Sequence, residues 1–93
     1  MIIYRAMCKE EYINTLKYKE PHFIRRFKWF SSDINFIIDR VQNTNFNNSI
    51  YIPSRYEYLV EFEADVESAK EIKIDRRDNI KIKYVKTINQ KEI

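Results

Sequence analysis

Nowhere in these 93 residues is there a glycine. Glycine reaches positive φ without steric penalty, so a chain that lacks it must close its turns with other residues. The runs QNTNFNN (42–48) and RRDN (76–79) predict that Asn and Asp take those positions. The same absence removes every glycine loop that cradles phosphate, and with it the P-loop and Rossmann nucleotide sites.

The length supports a single domain over residues 1–93, burying roughly two-thirds of the surface its unfolded form exposes. Hydrophobic residues at 44% and aromatics at 15% supply its core, and 33% charged residues fit a folded chain. No apolar run approaches the roughly 20 residues of a membrane span. The opening MIIYRAMCKEE has no charged stretch before an apolar one, so no signal peptide is expected. Cys8 is the only cysteine, which excludes an intrachain disulfide and a zinc-type ligand set. A nucleophilic pairing of Cys8 with His22 lacks a third, orienting group. These features predict a cytoplasmic protein. The Ile, Lys and Asn bias suggests an AT-rich source such as a phage or mobile element.

The periodicity predicts an α+β chain in the order β-α-β-α-β-β-β, a small mixed or antiparallel sheet with two short helices. IIYRAM (2–7) reads as a first strand. KEEYINTLKY (9–18) reads as a helix with Tyr12, Ile13 and Leu16 on one face. FIRRFKWF (23–30) reads as extended. Ile34, Ile37, Ile38 and Val41 then recur at helical spacing, with Ser32 or Asp33 where an N-cap belongs. The Asn-rich stretch 42–55 reads as a loop, with a short extended piece around Ile50 to Ile52. In YEYLVEFEAD (56–65), Tyr58, Val60, Phe62 and Ala64 alternate with Glu57, Leu59, Glu61 and Glu63. KEIKID, RRDN and IKIKYVK read as an antiparallel hairpin with Ile72, Ile74, Ile80, Ile82 and Tyr84 inward. Residues 88–93 read as a frayed end.

The doubled serine in WFSSD (29–33) raises the functional question. One oxygen suffices for an N-cap, so Ser31, at the end of a strand, is not needed there. Strand-end hydroxyls beside a helix N-terminus form a plausible anion site, and Arg5 lies mid-strand in an otherwise apolar run. YR in a first strand, WFSS before a helix, and a late strand opened by Glu71 together resemble the R-S-E class of ADP-ribosyltransferases. The resemblance extends over residues 2–86 in short motifs.

That resemblance implies an NAD-dependent transfer of ADP-ribose to a macromolecular target, with NAD as cofactor. Arg5 would hold the phosphates or ribose through its planar fork. Ser31 would support the nicotinamide pocket, with Ser32 secondary. Glu71 would bond the ribose 2′-hydroxyl and favour the positive charge that develops as nicotinamide leaves. Tyr4, Trp29 or Phe36 would stack on the nicotinamide ring. The chain departs from the family pattern at Asp33, where a third hydroxyl is usual. It departs again at Ala69, where a Glu or Gln is associated with arginine acceptors. Glu61 and Glu63 are rivals of Glu71 for the acid.

Two other readings compete. Arg25, Arg26 and Lys28 interleave with Phe23, Phe27, Trp29 and Phe30, as in surfaces that stack single-stranded nucleic acid. Lys73, Arg76, Arg77, Lys81 and Lys83 add a second basic cluster. A net charge of +3 is small, and an acidic band from Glu57 to Glu71 adjoins that cluster in sequence. The remaining alternative is a small non-enzymatic binding protein, such as a phage or mobile-element inhibitor, that docks on a partner protein.

Overall fold

A computed structural model describes residues 1–23, 25–47 and 56–89. Its elements are β1 (Ile2–Met7), α1 (Lys9–Tyr18), β2 (Phe27–Phe30), α2 (Ile34–Asn47), β3 (Tyr58–Ala64), β4 (Ile72–Asp75) and β5 (Ile82–Asn89). The chain is an α+β domain with two helices, but its strands form two antiparallel sheets rather than one. β1-β3-β5 make one sheet and β2-β4 the other. In the first, Ile3 faces Phe62, Arg5 faces Val60, and Ala64 faces Ile82 across β5. In the second, Phe30 faces Ile72 and Trp29 faces Lys73.

The expected hairpin between the last two strands is therefore absent. β4 joins β2, while β5 joins β3. Alternation specifies which face of a strand is buried, and two different neighbours satisfy it equally well. The RRDN segment turns the chain without pairing its flanks. The Asp75 carbonyl accepts from Asp78 N at 2.9 Å, Asp75 Oδ1 accepts from Arg77 N at 2.9 Å, and Asp78 Oδ2 accepts from Asp75 N at 2.9 Å. Arg76 N meanwhile donates to the Arg26 carbonyl at 2.6 Å, extending the β2-β4 ladder.

The two sheets bury their inner faces against each other. Ile3, Met7, Val60, Phe62, Ala64 and Ile82 come from the larger sheet, and Phe30, Ile72 and Ile74 from the smaller. Phe30 meets Phe62 edge to face at 5.8 Å and 89°. α1 closes one end, its Tyr12 stacked on Tyr58 at 4.0 Å and bonded through its hydroxyl to Thr87 Oγ1 at 2.8 Å. The buried residues of α1 are Tyr12 and Thr15, whereas Ile13 is 53% exposed. Consecutive helical residues point about 100° apart, so Ile13 is turned away from the Tyr12 face. Leu59 also departs from simple alternation. It is buried with its partner Ala6 on the opposite face of the larger sheet, and α2 packs on β1.

α2 begins at Asp33, whose Oδ1 accepts from Asn35 N at 3.0 Å and Phe36 N at 3.3 Å. The helix continues through residues 42–47, which read as loop from their asparagines. Propensity is a weak constraint once a helix is nucleated. The extended piece around Ile50 to Ile52 lies outside the described residues. Ile88 and Asn89, expected to fray, belong to β5, where Asn89 is opposite Leu59.

Among the described residues, positive φ falls on Lys19 (59°) and not on the asparagines or aspartates. Lys19 ends α1 in the left-handed conformation, donating its N–H to the Thr15 carbonyl at 2.8 Å. Its own carbonyl accepts from Tyr84 N at 2.9 Å, tying the helix end to β5. A residue with a Cβ pays sterically for this geometry. Lys19→Gly is expected to raise stability by about 0.5 to 1 kcal/mol, read as a higher urea midpoint at constant slope; an unchanged or lower midpoint contradicts this.

Candidate functional site

Backbone pairing between β1 and the end of β2 is a single bridge, from Tyr4 to Ser31, the residue that follows β2. Tyr4 N donates to the Ser31 carbonyl at 2.7 Å, and Ser31 N donates to the Tyr4 carbonyl at 3.1 Å. Continued in that register, Arg5 would oppose Phe30 and Ala6 would oppose Trp29. The strands part instead, and the Arg5 side chain spans the opening, with Nη1 donating to the Trp29 carbonyl at 2.9 Å.

Arg5 is held there by Glu11, in the first turn of α1. Nε and Nη2 donate to the two Glu11 carboxylate oxygens at 2.5 and 2.8 Å, a bidentate pair. Lys28, pointing inward from β2, places Nζ 3.2 Å from the same carboxylate. All three side chains are largely covered, at 18%, 16% and 8% exposed for Arg5, Glu11 and Lys28. Two cations thus share one anion in a place with little water.

The titration behaviour follows. Burial pushes the Glu11 carboxyl up, but the hydrogen bond and charge of Arg5, joined by Lys28, outweigh it and hold the group below its ordinary 4.5. For Lys28, burial and the Arg5 charge both favour the neutral amine. The Glu11 carboxylate offsets only part of this, so the ammonium sits below its ordinary 10.5.

The opening is a cavity of about 420 Å³, with α2 as its third wall. Arg5, Arg25, Lys28 and Arg40 bring positive charge to it, and Phe27, Trp29, Phe36 and Tyr56 bring rings. Glu71 lies on the wall as the acidic member, bonded to Arg40 Nη1. Arg40 also lies over the Phe36 ring at 5.9 Å, so one helical turn of α2 presents a ring and a cation beside the Glu71 carboxylate.

Of the residues singled out in the sequence, Arg5, Trp29, Phe36 and Glu71 line this cavity. Tyr4, Ser31 and Ser32 do not. Tyr4 alternates to the opposite face of β1 from Arg5 and contributes its backbone to the bridge. Ser31 is fully buried, its Oγ accepting from Asp33 N at 2.9 Å and donating to the Asp33 carbonyl at 3.1 Å. Ser32 binds Ala69, with N donating to the Ala69 carbonyl at 3.0 Å and Oγ accepting from Ala69 N at 3.0 Å. Ser31 therefore orients the capping residue of α2, and Ser32 fixes the segment that carries Glu71. The hydroxyls build the frame of the cavity, and its wall is made by others. Glu63 pairs with the N-terminal ammonium at 2.7 Å, and neither Glu61 nor Glu63 is among the cavity-lining residues.

Sequence reasoning missed Glu11, Arg40 and Tyr56. Arg40 had a legible signal, since it follows Phe36 by four residues and so shares its helical face. Glu11 stands in the first turn of α1, where an acid is ordinary beside the helix N-terminus; its pairing with Arg5 depends on how α1 folds back beside β1.

No protein family, curated protein or solved structure matches the chain. Among the described residues, no helix is long and apolar enough to cross a membrane.

Glu11→Gln leaves two cations facing each other and is expected to cost about 3 kcal/mol at neutral pH. A carboxyl with a depressed folded value binds fewer protons folded than unfolded, so its stabilisation is complete above the unfolded value near 4.5 and is lost as pH falls through the folded value. Urea titrations across pH should show the gap between wild type and Glu11→Gln narrowing only below about pH 4.5. A constant gap contradicts the assignment.

Proposed function

We propose that the cavity binds NAD and that the protein transfers ADP-ribose to a macromolecular target. The observation that carries this reading is the meeting of Arg5 and Glu71, 66 positions apart in the sequence numbering, on the wall of one cavity that also holds Trp29 and Phe36. Its volume, about 420 Å³, falls within the roughly 300–1,000 Å³ of small-molecule sites.

The donor set suits a dinucleotide. A pyrophosphate needs convergent cations, and Arg25, Lys28 and Arg40 line the cavity with Arg5. Three of the five Arg5 N–H donors serve Glu11 and Trp29, so two remain for a ligand. A nicotinamide or adenine ring needs flat apolar walls, which Trp29, Phe36 and Tyr56 offer.

NAD supplies a glycosidic bond whose cleavage leaves positive charge on the ribose carbon. Glu71 is the lining carboxylate that favours such charge. Arg40, bonded to the Glu71 carboxylate, restricts its direction, a positioning role. Ser32, through Ala69, sets where the Glu71 backbone lies, and Ser31, through Asp33, sets where α2 begins. The two serines act through other residues.

Incubation of the full chain with labelled NAD and a cell lysate is expected to release nicotinamide and label a macromolecule. Glu71→Gln should lower that rate by about 100-fold or more while NAD binding by calorimetry persists. Undiminished activity in Glu71→Gln, or no calorimetric binding of NAD by wild type, would sink the proposal.

A further inference from the structure

β2 exposes the residues that a buried strand would hide. Phe27 is 39% and Trp29 49% exposed, while Lys28 and Phe30 turn inward. The rings stand two residues apart on one strand, about 6.8 Å along it, on the outer face of the β2-β4 sheet. Lys73, opposite Trp29 on β4, sits between them, its Nζ 4.0 Å from the Phe27 ring centre and 5.7 Å from that of Trp29. Arg26 lies over Phe27 at 4.9 Å. Exposed Arg25, Arg76 and Arg77 flank the same end of the sheet. Asp75, on that face, is paired with Arg26 at 2.8 Å and with Arg77 at 3.6 Å.

The acidic residues that adjoin these cations in sequence are carried elsewhere. Glu61 and Glu63 belong to β3 of the larger sheet, opposite Lys86 and Lys83. The fold thus separates charges that the chain order interleaves. What remains on the outer β2-β4 face is a pair of exposed rings among cations, with Asp75 paired to Arg26 and Arg77 and the nearby Glu71 paired to Arg40.

We infer that this face, with Phe27, Trp29 and Lys73 at its centre, binds single-stranded nucleic acid. Adjacent bases stack on the two rings, and phosphates meet Lys73 and the flanking arginines. The pattern selects single strands, because stacking requires bases that are not already stacked in a duplex. The face adjoins the cavity, with Arg25, Phe27 and Trp29 bordering both and Lys73 belonging to the face. The inference uses no NAD chemistry and its test contains no NAD, so either reading can fail alone.

Trp29 is the chain's one tryptophan and borders both this face and the cavity, so its fluorescence reports binding at either, and Lys73 distinguishes the face. Titration with a mixed-sequence single-stranded DNA of about 12 nucleotides at low salt should quench it to saturation. The apparent Kd should weaken about tenfold between about 50 and 200 mM salt, as expected for two or three phosphate contacts. Anisotropy of a labelled oligonucleotide should show Lys73→Glu and Trp29→Ala each weakening binding by about tenfold or more, with both variants still unfolding cooperatively above the assay temperature. The inference is overturned by no change in either signal at low salt, by variants that bind like wild type, or by a duplex that competes as well as the single strand. A partner protein that occupies the face and is released by Lys73→Glu, without oligonucleotide binding, also overturns it.

Discussion

One carboxylate shared by two cations governs the arrangement of this protein. Glu11 draws Arg5 across the gap between β1 and β2, and accepts Lys28 from the inner face of β2. The two backbones pair at the Tyr4–Ser31 bridge, and beyond it the ladder gives way to a cavity. Continued pairing would have placed Ala6 against Trp29 and closed the space. The Arg5 guanidinium fills part of it instead, satisfying the Trp29 carbonyl that a neighbouring strand would otherwise serve. Burying such charges is unfavourable unless each is paired and hydrogen-bonded, which explains why the cluster is bidentate and why Lys28 is driven toward its neutral form.

Around this opening the chain uses short polar side chains as connectors. Asp33 caps α2, Ser31 orients Asp33, and Ser32 grips Ala69 two residues before Glu71. Lys19 takes the left-handed conformation at a helix end where glycine is the common choice, and its carbonyl joins α1 to β5. Both faces of β2 border the cavity, since Phe27, Lys28, Trp29 and Phe30 all line it. β2 turns Lys28 and Phe30 toward the ion cluster and core, and Phe27 and Trp29 outward.

Strand and helix positions were legible wherever periodicity was strong. The run from Ile34 to Val41 marked α2, and alternation from Tyr58 to Ala64 marked β3. Strand partners were not legible, because Ile72 and Ile74 alternate identically whether β5 or β2 lies beside them. The serines drew attention as functional groups, and their chemistry proved to be local bonding to Asp33 and Ala69. Arg5 stood out as a charge within an apolar strand, whereas Glu11, its partner, looked like an ordinary first-turn acid. Its role arises from the fold-back of α1, a tertiary event that leaves no periodic trace. The separation of acidic β3 from basic β2-β4 was hidden for the same reason.

The central claim is that Arg5 and Glu11 act as a unit that holds the β1-β2 opening, and a double-mutant cycle measures this. Unfolding free energies of wild type, Arg5→Met, Glu11→Gln and the double variant should give a coupling of about 2 kcal/mol, the double variant losing less than the two single changes together. Additive losses, within about 0.5 kcal/mol, would show that the two side chains are energetically independent and would contradict the account.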